Sequence, residues 1–247
     1  MDLRERVLDI GEIFSHSFNV FKNRFKTISA IMLSIYVPIG VFIGILTLSM
    51  ANDMLMIPTL VMAPIAAIGT GILGVAATVG VVYVVESYLI RNEDLPYKEA
   101  LSKAFSIIGG SILLAIVASL LTVIGMILLI IPGIAISVYV IFKYQSIALR
   151  GTTVLESLSY SKNLVSGNWW KILFINIVCS LLVLVVTSPF KMLGDSIIGL
   201  VIVQGVNAIA MSFGIIVNTV IFLNLDFIKN GREDTFLVDE HKDDTLI

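Results

Sequence analysis

Residues 107–149 read IIGGSILLAIVASLLTVIGMILLIIPGIAISVYVIFKYQSIAL and contain one charged side chain, that of Lys143. A helix needs about 20 apolar residues to cross the hydrocarbon layer of a bilayer, so this run is long enough for two crossings. Pro132 and Gly133, near its middle, are helix-breaking and turn-forming residues. The run therefore predicts a transmembrane hairpin that folds back between Gly125 and Gly133.

The composition extends this prediction to the whole chain. Of the 247 residues, 57% are hydrophobic and 14% are charged, whereas soluble domains have roughly 45–50% apolar and about 25% charged residues. So few charges cannot cover the exterior of a soluble protein of this length. We therefore predict an all-α, polytopic membrane protein. The charges of both signs near the N-terminus argue against a cleaved signal peptide.

Six transmembrane helices account for the apolar stretches. Residues 171–225 are long enough for two spans, and a polar cluster between Ser188 and Asp195 marks the loop between them. We assign residues 1–225 to a single polytopic membrane domain and residues 226–247 to a cytoplasmic acidic tail. The predicted spans are 27–50, 61–89, 107–127, 130–149, 171–188 and 197–224.

The distribution of basic residues predicts the orientation. Lysine and arginine near the ends of spans are retained on the cytoplasmic side. If the predicted spans alternate in direction, all Lys and Arg residues except Lys191 lie on one side of the membrane. We therefore predict a multi-pass protein of the cell membrane with its N-terminus and C-terminus in the cytoplasm.

A polar segment with helical periodicity precedes each odd-numbered span. The second such segment covers residues 94–106, with Pro96 in its first turn. The third begins at Thr153, which forms a capping-box pattern with Glu156. The first carries apolar residues at spacings of three and four, which predicts a helix lying along the membrane surface. These residues are Val7, Ile10, Phe14, Phe18, Phe21 and Phe25.

The three segments share a glutamate followed three residues later by a serine. Because a pair of spans follows each segment, we predict a threefold repeat of one interfacial helix plus one transmembrane hairpin. An even number of spans per unit would orient the three units alike. The alternative is that unrelated amphipathic helices share these letters. The pairs are Glu12 with Ser15, Glu99 with Ser102, and Glu156 with Ser159, in units at about 4–89, 94–149 and 153–224.

Several polar residues fall within spans and form a candidate intramembrane site. On one interpretation Lys143 extends to the interface and Glu86 is partly hydrated. On the other, the two side chains pair across spans two and four and line a cavity open to the cytoplasm. Spans five and six carry amides that we expect to form interhelical hydrogen bonds or, alternatively, to line a polar path for a solute. These amides are Asn176, Gln204, Asn207 and Asn218.

A second group of candidates lies at the start of span five, where Trp169 and Trp170 precede Lys171. Tryptophans beside a lysine anchor a helix at headgroup depth, so these three residues are candidate contacts with lipid or with the interface. The sequence contains no HExxH, GxSxG or Walker A motif. The two histidines, His16 and His241, each stand alone, and neither belongs to a metal-ligand pattern. We predict no catalytic residue, no metal and no cofactor.

Several motifs resemble one known family. They are Ile131-Pro-Gly-Ile134, Glu156, Ser161-Lys-Asn-Leu-Val-Ser-Gly-Asn-Trp-Trp-Lys171, and Ile10-Gly-Glu-Ile-Phe14 before Phe21 and Phe25. Together they resemble the membrane domain that some bacteria join to glycerophosphodiester phosphodiesterases, and its uncharacterised stand-alone relatives, over roughly residues 7–225. The resemblance implies a multi-pass architecture and a location near lipid metabolism or the cell envelope. The catalytic barrel of the fused proteins has no counterpart here, so their activity is not implied.

These observations favour a non-catalytic integral membrane protein that binds or organises lipids or partner proteins in the cytoplasmic membrane. The alternative is a small transporter or permease component with a polar path between spans. An integral enzyme is the weakest of the three hypotheses. The expected partners are membrane lipids and other membrane proteins, because a net charge of -2 favours no nucleic acid.

Overall fold

A computed structural model of the chain describes residues 3–51, 56–193 and 196–231. These residues form ten α-helices and no β-strand. A π-helical turn, Ser87–Arg91, extends α3, and a 3-10 helix, Ser188–Leu193, follows α9. The α-helices are α1 (Ile10–Asn23), α2 (Phe25–Ala51), α3 (Met56–Glu86), α4 (Tyr97–Ser106), α5 (Ile108–Leu128), α6 (Ile130–Tyr139), α7 (Lys143–Arg150), α8 (Val154–Val165), α9 (Trp169–Thr187) and α10 (Ile197–Asn230).

Six segments of the described chain are long and apolar enough to cross a membrane. This confirms the predicted all-α, polytopic class with six spans. Span four consists of α6 and α7, and span six is α10, which is longer than predicted. The segments are Phe25–Leu46, Ala67–Arg91, Ile108–Leu128, Ile130–Arg150, Trp169–Leu193 and Ile197–Asn230.

The short helices α1, α4 and α8 precede spans one, three and five, as predicted. The capping box of α8 is confirmed, since the Thr153 backbone N–H donates to Glu156 Oε2 at 2.9 Å. The equivalent bond in α1 runs from the Asp9 N–H to Glu12 Oε2 at 2.8 Å. These backbone donors stabilise the charged carboxylates and so lower the pKa of both glutamates. Pro96 is the N-cap of α4 and lies just before its first turn.

The three short helices bury the same positions relative to their shared glutamates. The residues one and five positions after each glutamate are buried, and they are Ile13 and Ser17, Ala100 and Ala104, and Ser157 and Ser161. The spans form three consecutive pairs, which we call the helix pairs: spans one and two, three and four, and five and six. Each helix pair also ends at a residue with a left-handed backbone, namely Asn92, Gly151 and Gly231, with φ of 54°, 59° and 56°. This recurrence supports the predicted repeat.

The three helix pairs form one bundle within a single chain. Helix α10 lies at its centre and packs against α1, α2, α3, α8 and α9. Helices α5 and α7 of the second pair pack against α3 of the first pair. Helix α6 of the second pair packs against α9 of the third pair and against α8, which precedes it. We call the end that carries α1, α4 and α8, together with Arg91, Arg150 and Asn230, the charged end.

The chain folds back between Gly125 and Gly133, as predicted, but Pro132 and Gly133 do not form the turn. The chain reverses at Leu129, a single extended residue with φ -163° and ψ 145°, and Pro132 lies in the first turn of α6. Gly125 and Gly133 serve instead as the contact between the two helices. A Cβ atom on Gly133 would lie 2.8 Å from Met126 Cα. The predicted role of Pro132 and Gly133 as the turn is therefore wrong, because their backbones fit within a helix and the glycines permit its close approach.

Span four is interrupted between Tyr139 and Lys143, where the sequence predicted a continuous helix. Ser161 of α8 compensates for the interruption. Its hydroxyl donates to the Tyr139 carbonyl at 2.7 Å and accepts from the Phe142 N–H at 3.0 Å. Because backbone groups in an apolar layer need partners inside the protein, this contact fixes α8 against the break.

We expect Gly133→Ala to destabilise the protein, because the added methyl group would force α5 and α6 apart. Overpacking of this kind costs roughly 1–3 kcal/mol. The matched control is Gly109→Ala in α5, where a Cβ atom would meet nothing within 4 Å. Thermal unfolding in one detergent compares the two variants. Equal unfolding temperatures would contradict the proposed contact.

Candidate functional site

The charged end contains a buried ion pair between Arg150 of α7 and Asp226 of α10. Their side chains are 2% and 0% exposed. Arg150 Nε donates to Asp226 Oδ2 at 2.6 Å, and Nη2 of the same guanidinium donates to the same oxygen. The guanidinium also lies over the Phe222 ring, 6.0 Å from its centre. The pair thus joins span four to span six in a site closed to water.

The second oxygen of the Asp226 carboxylate binds two further donors. Tyr160 of α8 donates its hydroxyl to Asp226 Oδ1, and Asn230 Nδ2 donates to the same atom at 2.6 Å. Burial, together with the hydrogen bond to the carboxylate, raises the pKa of Tyr160 to about 12. The phenol therefore remains a proton donor at neutral pH. Asp226 consequently connects α7, α8 and α10.

The sequence analysis did not identify this cluster, because it placed Asp226 in a solvated tail. That boundary is wrong for residues 226–230, since α10 continues to Asn230 and Asp226 is fully buried. A signal was present in the sequence. The apolar pattern persists through Phe227, and Gly231 is the glycine expected just after a helix end.

Glu86 lies at the same end of the bundle and is 3% exposed. Its Oε1 accepts a hydrogen bond from Arg91 Nε at 3.3 Å, and Lys103 and Arg150 also act on it electrostatically. The predicted pairing of Glu86 with Lys143 is therefore wrong, because Arg91 is the partner of Glu86. The predicted partial hydration of Glu86 is also wrong, because its side chain is buried. Arg91 reaches Glu86, five residues earlier, because the π-helical turn brings residues five apart onto the same side of the helix.

Lys143 contacts an aromatic ring, and its predicted extension to the interface stays a prediction. Its Nζ lies 4.8 Å from the centre of the Tyr144 ring, where it forms a cation–π contact. The residue is half-buried at the start of α7. Glu86 and Lys143 therefore do not form one site.

Residues 3–8 are fastened to α10 by Asn224, another residue that the sequence analysis did not identify. Asn224 Oδ1 accepts from the Leu8 N–H at 3.0 Å. Its Nδ2 donates to the carbonyls of Leu3 and Arg6 at 2.9 Å and 2.8 Å. Lys171 Nζ donates to the Leu8 carbonyl. Lys171, predicted to contact lipid or the interface, thus also holds the N-terminal segment.

The two tryptophans have different environments. Trp170 is 77% exposed, whereas Trp169 is partly buried against the hydrophobic core. Their rings meet edge to face with centres 4.6 Å apart. A small, partly open pocket next to Lys171 is lined by Val7, Ile172 and Asn224 among others. Of the two tryptophans, only Trp170 therefore offers a large apolar surface to the surroundings.

The amides of spans five and six do not converge on one site. Asn176 and Asn218 exchange two hydrogen bonds, of 3.1 Å and 3.0 Å, which confirms interhelical hydrogen bonding for this pair. Gln204 packs close to Gly40 of α2. Asn207 Nδ2 lies 3.6 Å from Met211 Sδ on its own helix. A polar path for a solute stays a prediction.

Comparison with known proteins places the chain in a family. A model described as "Domain of unknown function (DUF7847)" matches residues 98–227, more than half of the chain. The chain belongs to this family. The DUF7847 match begins in α4 and ends just after Asp226, so it includes both partners of the buried ion pair. No curated protein and no solved structure matches the chain. The resemblance to the phosphodiesterase-linked membrane domain stays a prediction.

We expect Asp226→Asn to destabilise the protein strongly, because it leaves the buried guanidinium of Arg150 without its carboxylate. Breaking a buried pair by removing one partner costs roughly 3–5 kcal/mol. Replacing both partners, with Arg150→Met and Asp226→Leu, should recover part of this loss. Thermal unfolding in detergent measures both effects.

The control for this prediction is Glu99→Gln in α4. Glu99 pairs with Lys103 at 3.2 Å, and the two side chains are 52% and 43% exposed. Loss of such an exposed pair costs about 1 kcal/mol or less. If Asp226→Asn changed stability no more than this control, the buried pair would not be a structural requirement.

Proposed function

We propose that this protein is a non-catalytic integral protein of the cytoplasmic membrane that binds or organises lipids or partner proteins. The observation that carries the proposal is a set of exposed large apolar side chains around the charged end, which we call the interfacial rim. Their exposed fractions range from 44% to 77%. The rim consists of Phe18, Phe25, Phe105, Leu155 and Trp170.

The position of the rim supports contact with lipid at headgroup depth. Phe18, Phe105 and Leu155 each lie on one of the short amphipathic helices α1, α4 and α8. Exposed lysines lie on the same helices, among them Lys22 and Lys162. Apolar side chains next to basic ones bind the boundary between acyl chains and anionic headgroups. The rim therefore favours anionic lipids as the ligand class.

The proposed orientation places the charged end in the cytoplasm. The test uses two single-cysteine variants in a Cys179→Ala background, Lys162→Cys in α8 and Lys191→Cys in the connection after α9. A membrane-impermeant thiol reagent added to intact cells should label position 191, and position 162 only after permeabilisation, because the spans alternate in direction. The reverse pattern would overturn the orientation.

For lipid binding, we expect Trp170→Ala to reduce the amount of co-purified lipid with little change in unfolding temperature, because the side chain is 77% exposed. The matched control is Phe174→Ala, one turn further along α9 and 53% exposed. Native mass spectrometry of protein released gently from its membrane records retained lipids and proteins. Unchanged retention in Trp170→Ala, or equal losses in both variants, would contradict the proposed role of the rim.

A further inference from the structure

The end of the α5–α6 hairpin is formed by five consecutive aliphatic residues. Each is exposed to the surroundings of the protein, with fractions between 68% and 81%. They are Ile127, Leu128, Leu129, Ile130 and Ile131, and we call them the hairpin tip. The tip lies opposite the charged end, because α5 starts beside α4 and runs away from it.

The sequence on either side of the tip contains no side chain that requires water. The stretch 123–136 contains no residue with a polar side chain. The flanking hydroxyls are bonded within their own helices, Thr122 to the Ala118 carbonyl at 2.9 Å and Ser137 to the Ile134 carbonyl at 2.7 Å. Both hydroxyls are therefore compatible with an apolar environment.

The backbone of the turn is also suited to an apolar environment. The Leu129 N–H donates to the Gly125 carbonyl at 3.1 Å, and the Leu129 carbonyl accepts from the Gly133 N–H at 3.3 Å. Pro132, in the first turn of α6, has no N–H to be satisfied. Both polar backbone groups of Leu129 are therefore satisfied within the protein, as backbone placed in lipid requires.

Two other connections, between spans one and two and between spans five and six, are expected opposite the charged end. Their sequences differ in composition from the hairpin tip. The sequence of the α2–α3 connection contains Asn52 and Asp53, and that of the α9–α10 connection contains Ser188, Lys191 and Asp195. Such residues suit headgroups and water. The hairpin tip has no residue of this kind, so it does not match the environment of its two counterparts.

The length of α5 gives the depth of the tip. Its 21 residues span about 31 Å at 1.5 Å per residue, close to the hydrocarbon thickness of about 30 Å. Starting beside the interfacial helix α4, α5 therefore carries the tip about as far as the opposite boundary of the hydrocarbon layer. We propose that the hairpin tip is embedded among the acyl chains of the leaflet opposite the charged end.

This inference is independent of the proposed function and is tested on the full chain in lipid vesicles. In a Cys179→Ala background, Ile130→Cys carries a nitroxide spin label. Power saturation then measures its collisions with oxygen, which concentrates in acyl chains, and with a water-soluble nickel chelate. We expect high oxygen accessibility and a chelate accessibility several-fold lower than at the aqueous reference, Lys191→Cys.

Two further labelled variants make the outcome decisive. Leu120→Cys, 56% exposed in the middle of α5, reports a lipid-facing position, and Leu114→Cys, fully buried, reports a protein interior. Agreement of position 130 with position 120 supports the proposal. Chelate accessibility equal to that at position 191 would place the tip in water. Low accessibility to both reagents, as at position 114, would mean that a second protein chain covers it. Either result overturns the proposal.

Discussion

The buried carboxylate of Asp226 determines how the charged end of the bundle is assembled. A charge removed from water is stable only where fixed donors surround it. Here those donors come from three helices, through Arg150 of α7, Tyr160 of α8 and Asn230 of α10. Because α10 also packs against the first helix pair, the position of this carboxylate relates the third pair to both of the others.

Buried polar groups likewise need partners inside the protein, and this need explains the other polar contacts. Asn224 is satisfied by the backbone of residues 3–8, Asn176 by Asn218, and the break in span four by Ser161. These residues hold helices together and are not arranged as an open site. Among the described residues, large exposed apolar surfaces remain available for binding, and at the charged end they lie beside basic residues. This division between a polar interior and an apolar rim is the physical basis of the proposed function.

Local signals in the sequence predicted local structure well. The capping box at Thr153 and the six apolar segments depend on neighbouring residues alone, and both are confirmed. The pairing of Glu86 failed, because which cation reaches a carboxylate depends on helix rotation, here altered by a π-helical turn. Asp226 was missed because its burial follows from α8 covering the end of α10. Among the candidate site residues, the sequence predicted Asn176 and Asn218 as interhelical contacts but could not predict that Gln204 and Asn207 lie apart from them.

The sequence by itself determined the class of the protein, the number of spans and the alternation of short amphipathic helices with apolar pairs. These features follow from hydrophobic length and periodicity, which each segment carries independently of the others. Only the tertiary structure decided which polar groups meet, where span four breaks and how closely α5 approaches α6. Such contacts join residues far apart in the chain, such as Arg150 and Asp226, and depend on the rotation and register of whole helices.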